Sequence, residues 1–358
     1  MRLTEEHQEL RSAVRASLAR HPDGSAWRPL TEQIGVAGLA IPEEYGGAGC
    51  GALEVHVVME ELGRALAPVP FLGSAVLTTQ ALLACGDTEL LPGLAEGSAV
   101  GALAWAENGS WDPDAVRAGA RRSAAGTWRL TGVKEHVLDG ADADVLIVAA
   151  RTDAGISLFQ VAVDAPGLRR ERLVPMDSTR PQARIVLDGA EGRPIGTDGD
   201  GARALRKVLD LGCVALAAEQ VGAAERCLEL TVAYAAQRVQ FGRPIGSFQA
   251  VKHRLADAFV RVEAARSAAL GAAFAAAEDA AELPRYAAVA KSACSEAFSA
   301  VAGENIQLHG GIGITWEHDA HRYFKRAHGG AQLLGSPTRH RERLAGELGL
   351  TASRGCGR

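Results

Sequence analysis

The spacing of apolar residues changes twice along the chain. Near the N-terminus they recur at helical intervals, as Leu10, Val14 and Leu18 do on one face of a predicted first helix. The middle of the chain instead holds short β-branched runs such as VLIVAAR at 145–151, separated by Gly, Pro and Asp. Helical periodicity then returns, now rich in alanine. The predicted units are an N-terminal α-helical domain at 1–95, a middle β-barrel or sandwich domain at 96–196, a C-terminal four-helix bundle at 197–350 and a flexible tail at 351–358.

Three long helices are predicted in the C-terminal part. They span 204–237, 248–279 and 284–308, and Pro284 is well placed in the first turn of the third. The first of them would be about 50 Å long at the usual helical rise. Their many alanine side chains allow antiparallel helices to pack closely, which is typical of a bundle.

Composition and charge exclude several classes of protein. Hydrophobic residues make up 47% of the 358 residues and charged residues 23%, as in globular proteins with a large core. The net charge of −5 is spread along the chain without a basic run, which argues against nucleic-acid binding. The six cysteines form no CxxC pair, and neither a signal peptide nor an apolar run of about 18 residues is present. These features predict a cytoplasmic protein that does not enter membranes.

An unusual stretch, RVQFGRPIGSFQAVKHR at 238–254, interrupts the helices. Its Gly and Pro residues end one helix, and Ser247 can N-cap the next. The free N–H groups at a helix start suit an anion, and the planar Arg238 guanidinium suits phosphate oxygens. The alternative is a plain helix hairpin in which Arg238 caps the preceding helix.

A second stretch, QLHGGIGITWEHDAHRYFKRA at 307–327, contains glycines after a helix rather than a strand. This context argues against a nicotinamide dinucleotide loop, although glycines let a backbone approach a ligand closely. His318 and His321 are three residues apart, whereas a zinc-binding helix pair is normally four apart with a third ligand nearby. No metal is therefore predicted, and Glu317 and Asp319 are interpreted as caps of a helix start.

Together with GVAGLAIPEEYGGAG at 35–49, these two stretches resemble the acyl-CoA dehydrogenase family over nearly the whole chain. The resemblance implies the helical, β, helical order found above, FAD as cofactor and usually a tetramer. It also implies desaturation of an acyl thioester, in which a carboxylate removes the α-proton while flavin N5 takes the β-hydride. The implied cofactor contacts are Arg238 and Gln240 at the flavin pyrophosphate, Phe248 and Gln249 beside the flavin, Gln307 and Gly311 towards the FAD of a neighbouring subunit, and Ser336 and Thr338 at the nucleotide. From the residues themselves we add Phe241, whose ring could pack on a flat ligand, and Gly310, which allows close backbone approach.

The sequence departs from the family where the catalytic base belongs. The family places its glutamate at one of two positions, which correspond to Leu334 and Gly212 in this chain. Glu219 lies two turns beyond Gly212 on nearly the same helix face. It is either a relocated base or, as we favour, a glutamate that faces solvent or a partner.

Contacts to the flavin ring are also missing. The Trp-x-Thr motif of the family corresponds to His136 and Leu138, and a ring-binding Thr corresponds to Ala106. The ring side of the site is therefore altered in two domains, whereas the phosphate side is retained.

This combination resembles the base-lacking, TWEHD-containing subunits of heterotetrameric acyl-CoA dehydrogenases from bacterial steroid side-chain degradation. The implied partner is a second dehydrogenase subunit that carries the base, and the implied electron acceptor is an electron-transfer flavoprotein. Two alternatives stay open at this point: a self-sufficient homo-oligomer with a relocated base that acts on acyl-CoA or acyl-carrier-protein thioesters, and a tailoring or scaffold protein on the same fold.

Overall fold

A computed structural model describes residues 2–22 and 24–350. Helices form its N-terminal part, strands its middle and long helices its C-terminal part, as the sequence predicts. The predicted tail at 351–358 lies outside the described residues. The N-terminal helices are α1 (Glu5–Arg20), α2 (Trp27–Pro29), α3 (Ala52–Ala65), α4 (Thr79–Cys85) and α5 (Leu91–Glu96), with π-helical segments at Leu30–Ile34 and Phe71–Thr78.

The middle of the chain is a small closed barrel. Strand β4 pairs with β2 and β5, β7 pairs with β3 and β5, and β2 pairs with β3, so that five strands form a ring. Strand β1 adds to β4 and β6 to β7. Apolar side chains such as Leu130, Val148, Phe159 and Ile185 fill the interior. The strands are β1 (Gly101–Ala104), β2 (Gly119–Arg122), β3 (Trp128–Leu138), β4 (Val145–Arg151), β5 (Ile156–Val161), β6 (Leu168–Arg172) and β7 (Gln182–Ile195).

The C-terminal part is built on three long antiparallel helices, whose predicted ranges are close to those observed. The fourth side of the bundle is occupied by two shorter helices that pack against the third. These helices are α6 (Gly201–Gln237), α7 (Gln249–Ala277), α8 (Leu283–His309), α9 (Ala320–Gln332) and α10 (Pro337–Glu347), and a hairpin of β8 (Val239–Gln240) and β9 (Arg243–Pro244) joins α6 to α7.

Helices α3 and α6 cross with their backbones in contact. A Cβ atom on Gly63 would lie 2.0 Å from the Glu219 carbonyl oxygen, and one on Gly222 would lie 1.9 Å from the Glu60 carbonyl oxygen. Two glycines therefore set the distance between the N-terminal helices and the bundle.

We expect Gly222→Ala to destabilise the protein by about 3 kcal/mol, because the new methyl group forces α3 and α6 apart. Gly303→Ala in α8 is the matched control, since an added Cβ there meets no heavy atom within 4 Å and alanine favours the helix. Urea unfolding of both variants measures the difference. Equal stability of the two would show that the helix crossing tolerates a side chain.

Candidate active site

One end of the bundle brings together the predicted phosphate-binding residues. The Thr231 hydroxyl donates to Asn305 Oδ1 at 3.0 Å, and the Tyr234 and His309 ring centroids are 4.4 Å apart. The end of α6 and the end of α8 are thus adjacent, and α7 begins beside them. We call this region the end surface; its predicted cofactor residues are Arg238, Gln240, Phe241, Phe248, Gln249, Gln307, Gly310 and Gly311.

The β8–β9 hairpin projects from this end of the bundle. Its two turn residues, Phe241 and Gly242, have positive φ values of 54° and 77°, a conformation that a phenylalanine adopts only at an energetic cost. The strained Phe241 side chain is 93% exposed. The Arg243 guanidinium lies 4.0 Å from the Phe248 ring centroid and stiffens the base of the hairpin.

The predicted N-cap of α7 is wrong by one residue. Phe248 occupies the N-cap position, and the Ser247 hydroxyl instead donates to the Pro244 carbonyl at 2.7 Å. The serine thus stabilises the short turn before α7 and leaves the first N–H groups of the helix without a side-chain cap.

The end surface carries cations that form no ion pair in the described part of the chain. No carboxylate among the described residues lies within ion-pair distance of Arg238, Arg243 or Lys252, whereas the nearby Arg254 pairs with Glu304 at 2.8 Å. Exposed guanidinium groups beside a helix start are suited to phosphate oxygens. This half of the site therefore fits the pyrophosphate of FAD.

The remaining predicted cofactor residues lie elsewhere, beside a large cavity. The cavity has a volume of about 1190 Å³ and is lined by Trp111, His136, Leu334 and Ser336 among others. Ser336 caps α10 by accepting from the Arg339 N–H, and the exposed Thr338 follows in its first turn. The cavity lies beside the start of α6, since Arg206 and Leu209 also line it.

The end surface and this cavity are far apart within one chain. Arg206 lies near the start of α6 and Arg238 at its end, so that the helix separates them by about 45 Å. One FAD molecule cannot contact both regions of the same chain. The predicted cofactor residues of one chain therefore form two separate groups.

Neither expected base position offers a carboxylate, and the two positions are neighbours. A Cβ atom on Gly212 would lie 2.9 Å from Leu334 Cδ1 and 2.6 Å from Leu77 Cδ2. Leu334 is 1% exposed and Leu77 2%. Aliphatic side chains thus occupy the place where a base would act.

The cavity does contain carboxylates, but both are engaged. Asp112 pairs with Arg339 at 3.0 Å, and Glu342 pairs with the same arginine at 3.7 Å. Both side chains line the cavity, but neither residue stands at the Leu334 or the Gly212 position. Neither matches a base position of the fold.

Two buried residues that the sequence did not single out fix the segment around Leu334. The His340 ring donates from Nε2 to the Leu334 carbonyl at 2.9 Å, and burial lowers the pKa of His340 to about 4, so the ring is neutral near pH 7. The Lys291 ammonium donates to the Gly330 and Ala331 carbonyls at 3.2 and 3.0 Å at the end of α9. In the sequence, His340 and Lys291 are single polar residues within helical patterns, and such a pattern does not predict which carbonyl groups they bind.

Aromatic side chains line the cavity near the positions of the altered flavin-ring contacts. Trp111 stacks on His136 with centroids 6.5 Å apart, and the Trp105 indole donates to the Trp111 carbonyl at 3.1 Å. Leu138 and Ala106 are buried and offer no hydrogen bond from their side chains. The altered ring contacts noted in the sequence therefore come together in space.

The loop that carries Trp111 is anchored by a buried ion pair. Glu107 accepts from the Arg117 and Ala118 N–H groups at 2.7 and 3.0 Å and from the Lys134 ammonium at 2.5 Å. Burial lowers the pKa of Lys134 to about 8 despite this partner. The pair holds the loop against the barrel.

The interpretation of Glu219 as facing solvent or a partner is wrong. Its side chain is 4% exposed and bridges Arg180 and Arg326, the latter at 2.9 Å. Arg326 also binds Asp177 at 2.5 Å. Burial alone would raise the pKa of Glu219, but the two guanidinium groups outweigh burial and hold that pKa below its ordinary value. A buried carboxylate whose charge is compensated by two guanidinium groups is too weak a base, and too enclosed, to abstract a proton from a substrate.

One of the two histidines after the glycine loop, His318, caps the start of α9. His318 Nδ1 accepts from the Ala320 N–H at 3.1 Å, whereas Asp319 pairs with Arg322 at 3.0 Å and caps nothing with its side chain. Glu317 likewise accepts no capping bond. Within the described residues, no three His, Cys, Asp or Glu side chains assemble as a metal site. None of the helices in the described ranges is long and apolar enough to cross a membrane.

Comparisons with known proteins agree with this architecture. The model of the acyl-CoA dehydrogenase C-terminal domain matches residues 199–349, and that of the N-terminal domain matches residues 4–98. Acyl-CoA dehydrogenase IpdE2 of Mycobacterium tuberculosis is 45% identical over 341 residues, which cover 94% of this chain and 91% of IpdE2.

Two solved structures share the fold of this chain over nearly its whole length. A chain of the ChsE4–ChsE5 complex from Mycobacterium tuberculosis superimposes with a TM-score of 0.88 at 32% identity, over 98% of this chain and 99% of that one. Butyryl-CoA dehydrogenase from Megasphaera elsdenii gives a TM-score of 0.90 at 26% identity, over 97% and 99% of the two chains. The chain belongs to the acyl-CoA dehydrogenase family of FAD-dependent oxidoreductases.

Proposed function

We propose that this chain is the base-lacking subunit of a hetero-oligomeric acyl-CoA dehydrogenase that desaturates steroid-derived acyl thioesters. The observation that carries the proposal is the pair of neighbouring positions Leu334 and Gly212, where both possible bases of the fold are absent and Leu77 fills the space. The proton must then be removed by a carboxylate of another chain.

The chain would complete the flavin site of that partner. Bound FAD supplies the hydride acceptor. In this chain Arg238 and Gln240 would hold the pyrophosphate, Phe241, Phe248 and Gln249 would pack beside the flavin, and the backbone at Gly310 and Gly311 would allow close approach with Gln307 as a donor. In a heterotetramer, Ser336 and Thr338 of this chain would lie beside this chain's altered cavity. They would then not contact the FAD that is bound in the partner's complete site.

Several relatives support the hetero-oligomer and the substrate class. One similar solved structure is a complex of two differently named chains, ChsE4 and ChsE5, and another is described as a steroid acyl-CoA dehydrogenase of two chains, with 34% identity to this one. The position of Glu219 between two arginines argues against a self-sufficient enzyme with a relocated base. An electron-transfer flavoprotein is the expected electron acceptor.

The test is co-expression of the full chain with dehydrogenase chains of its organism that carry a glutamate at the position of Leu334 or Gly212. We expect a complex of two copies of each chain by native mass spectrometry, with one FAD per pair of chains and a flavin that bleaches on addition of an acyl-CoA. A homo-oligomer of this chain alone that binds FAD fully and is reduced by acyl-CoA would contradict the proposal.

We expect Arg238→Ala to lower the FAD content of the complex, because it removes a charged phosphate contact worth about 1.5–3 kcal/mol. The flavin absorbance per complex after gel filtration measures the loss. Arg261→Ala on the exposed face of α7 is the control, since Arg261 carries the same charge outside the end surface. An Arg238→Ala complex that retains as much FAD as the control would remove Arg238 from the site.

A further inference from the structure

The loop that follows Gly311 exposes large apolar side chains that the cofactor does not account for. Ile314 is 73% exposed and Trp316 is 81% exposed, while Ile312 is 37% exposed. We call residues 312–316 the anchor loop. Contiguous exposed apolar side chains of this size mark a surface that another molecule covers.

Contacts within the chain support the anchor loop although it projects into solvent. The Thr315 hydroxyl donates to the Ile312 carbonyl at 2.8 Å. The Trp316 ring meets the His321 ring edge-on with centroids 4.5 Å apart, and the Lys325 ammonium lies 4.5 Å above the indole centroid. An indole that is already ordered loses little conformational entropy when it is buried, which is the property of an interface anchor.

The base of the loop is stacked on the bundle. The His318 and His309 ring centroids are 4.2 Å apart, and His309 in turn lies 4.4 Å from the Tyr234 ring. Tyr234 is in the last turn of α6, directly before Arg238. The anchor loop is therefore fixed next to the phosphate-binding residues, so a chain whose flavin reaches Arg238 also reaches Trp316.

The charges around the loop indicate an acidic partner. In the described part of the chain, Lys325 has no carboxylate in an ion pair and places its ammonium on the Trp316 ring, and Arg243 and Lys252 also form no ion pair. Within the same residues, the exposed Glu317 beside Trp316 is unpaired as well, so the unpaired charges near the loop are mainly but not only positive. A second copy of this chain is a poor match, because the two carboxylates that line its cavity, Asp112 and Glu342, both pair with Arg339. An occupant with unpaired carboxylates around an apolar recess would complement both the indole and the cations.

We propose that Ile314 and Trp316 anchor this chain to its base-bearing partner, by inserting into an apolar recess with an acidic rim beside the partner's flavin site. The proposal rests on the proposed function, and it assigns to the anchor loop a role in subunit recognition separate from the FAD contacts. Trp316 is thus a residue that determines which chain this subunit selects.

The test uses the full chain and the base-bearing dehydrogenase that co-purifies with it. We expect Trp316→Ala to raise the dissociation constant of the two chains at least about 30-fold, as removal of a central interface tryptophan does, whereas Trp316→Phe retains most of the affinity. At concentrations that saturate the complex, the FAD content of the Trp316→Ala complex should equal that of the wild type, because the indole does not hold the cofactor. Tyr286→Ala, which removes a 42% exposed aromatic ring beside Gly271 at the other end of α8, should leave affinity unchanged.

The outcomes separate the anchor from the proposed function. A Trp316→Ala chain that binds the partner as the wild type does overturns the anchor and leaves the proposed function standing. Equal weakening by Trp316→Ala and Tyr286→Ala also overturns the anchor, since the effect is then not local. If the wild-type chain binds no base-bearing dehydrogenase, both proposals fail.

Discussion

Replacement of the partner's base glutamate by glutamine is expected to slow acyl-CoA oxidation by the complex about 10²–10⁴-fold, the usual contribution of a positioned general base. The reason lies in this chain, where Leu334 and Gly212 leave no carboxylate that could take over. Flavin bleaching under anaerobic conditions with a panel of acyl-CoA thioesters measures the rate of the chemical step.

The carboxylates of this chain's own cavity provide the matched control. Asp112→Asn and Glu342→Gln remove the two acidic side chains that line it, and both side chains pair with Arg339 rather than face a base position. We expect complexes with either variant to bleach at the wild-type rate. A loss as large as that of the partner variant would place the base in this chain and refute the base-lacking assignment.

The sequence predicts the parts of this molecule that depend on local chemistry. The long run of apolar and alanine residues predicts α6 to within a few residues, and the Gly and Pro residues at 242–246 correctly locate the break before α7. The stretches that follow the first and third long helices also lie together at one end of the bundle, whereas Ser336 lies apart from them at the cavity. Ser247 fails as a cap because the helix begins one residue later than predicted, with Phe248 at the N-cap position, and the serine hydroxyl donates to the Pro244 carbonyl instead.

Contacts between distant segments could not be predicted in the same way. Glu219 is joined to Arg180, 39 residues earlier, and to Arg326, 107 residues later, so nothing in its helix reveals its partners. The same holds for Leu77, which fills the space beside Gly212 from a different domain. A single sequence shows that a base is missing, whereas the structure shows what replaces it.

We expect Glu219→Gln to destabilise the protein by about 3–5 kcal/mol, because it leaves Arg180 and Arg326 buried without their shared counter-charge. The loss is structural, so it should appear in urea unfolding of the chain in the absence of any substrate. Glu263→Gln is the control: Glu263 pairs with Arg266 at 3.4 Å on the exposed surface of α7, where such a pair contributes less than about 1 kcal/mol.

The pH dependence distinguishes a lost ion pair from a packing defect. The pKa of Glu219 is lower in the folded than in the unfolded protein, since Arg180 and Arg326 outweigh burial. The ionised carboxylate therefore contributes its full stability above the unfolded-state pKa of about 4.3, and this contribution is lost as the pH falls through the folded-state pKa. The stability difference between wild type and Glu219→Gln should accordingly be largest near pH 7 and shrink on acidification. A difference that stays constant down to acid pH would mean that the glutamine disturbs packing and that the two arginines do not depend on the charge of Glu219.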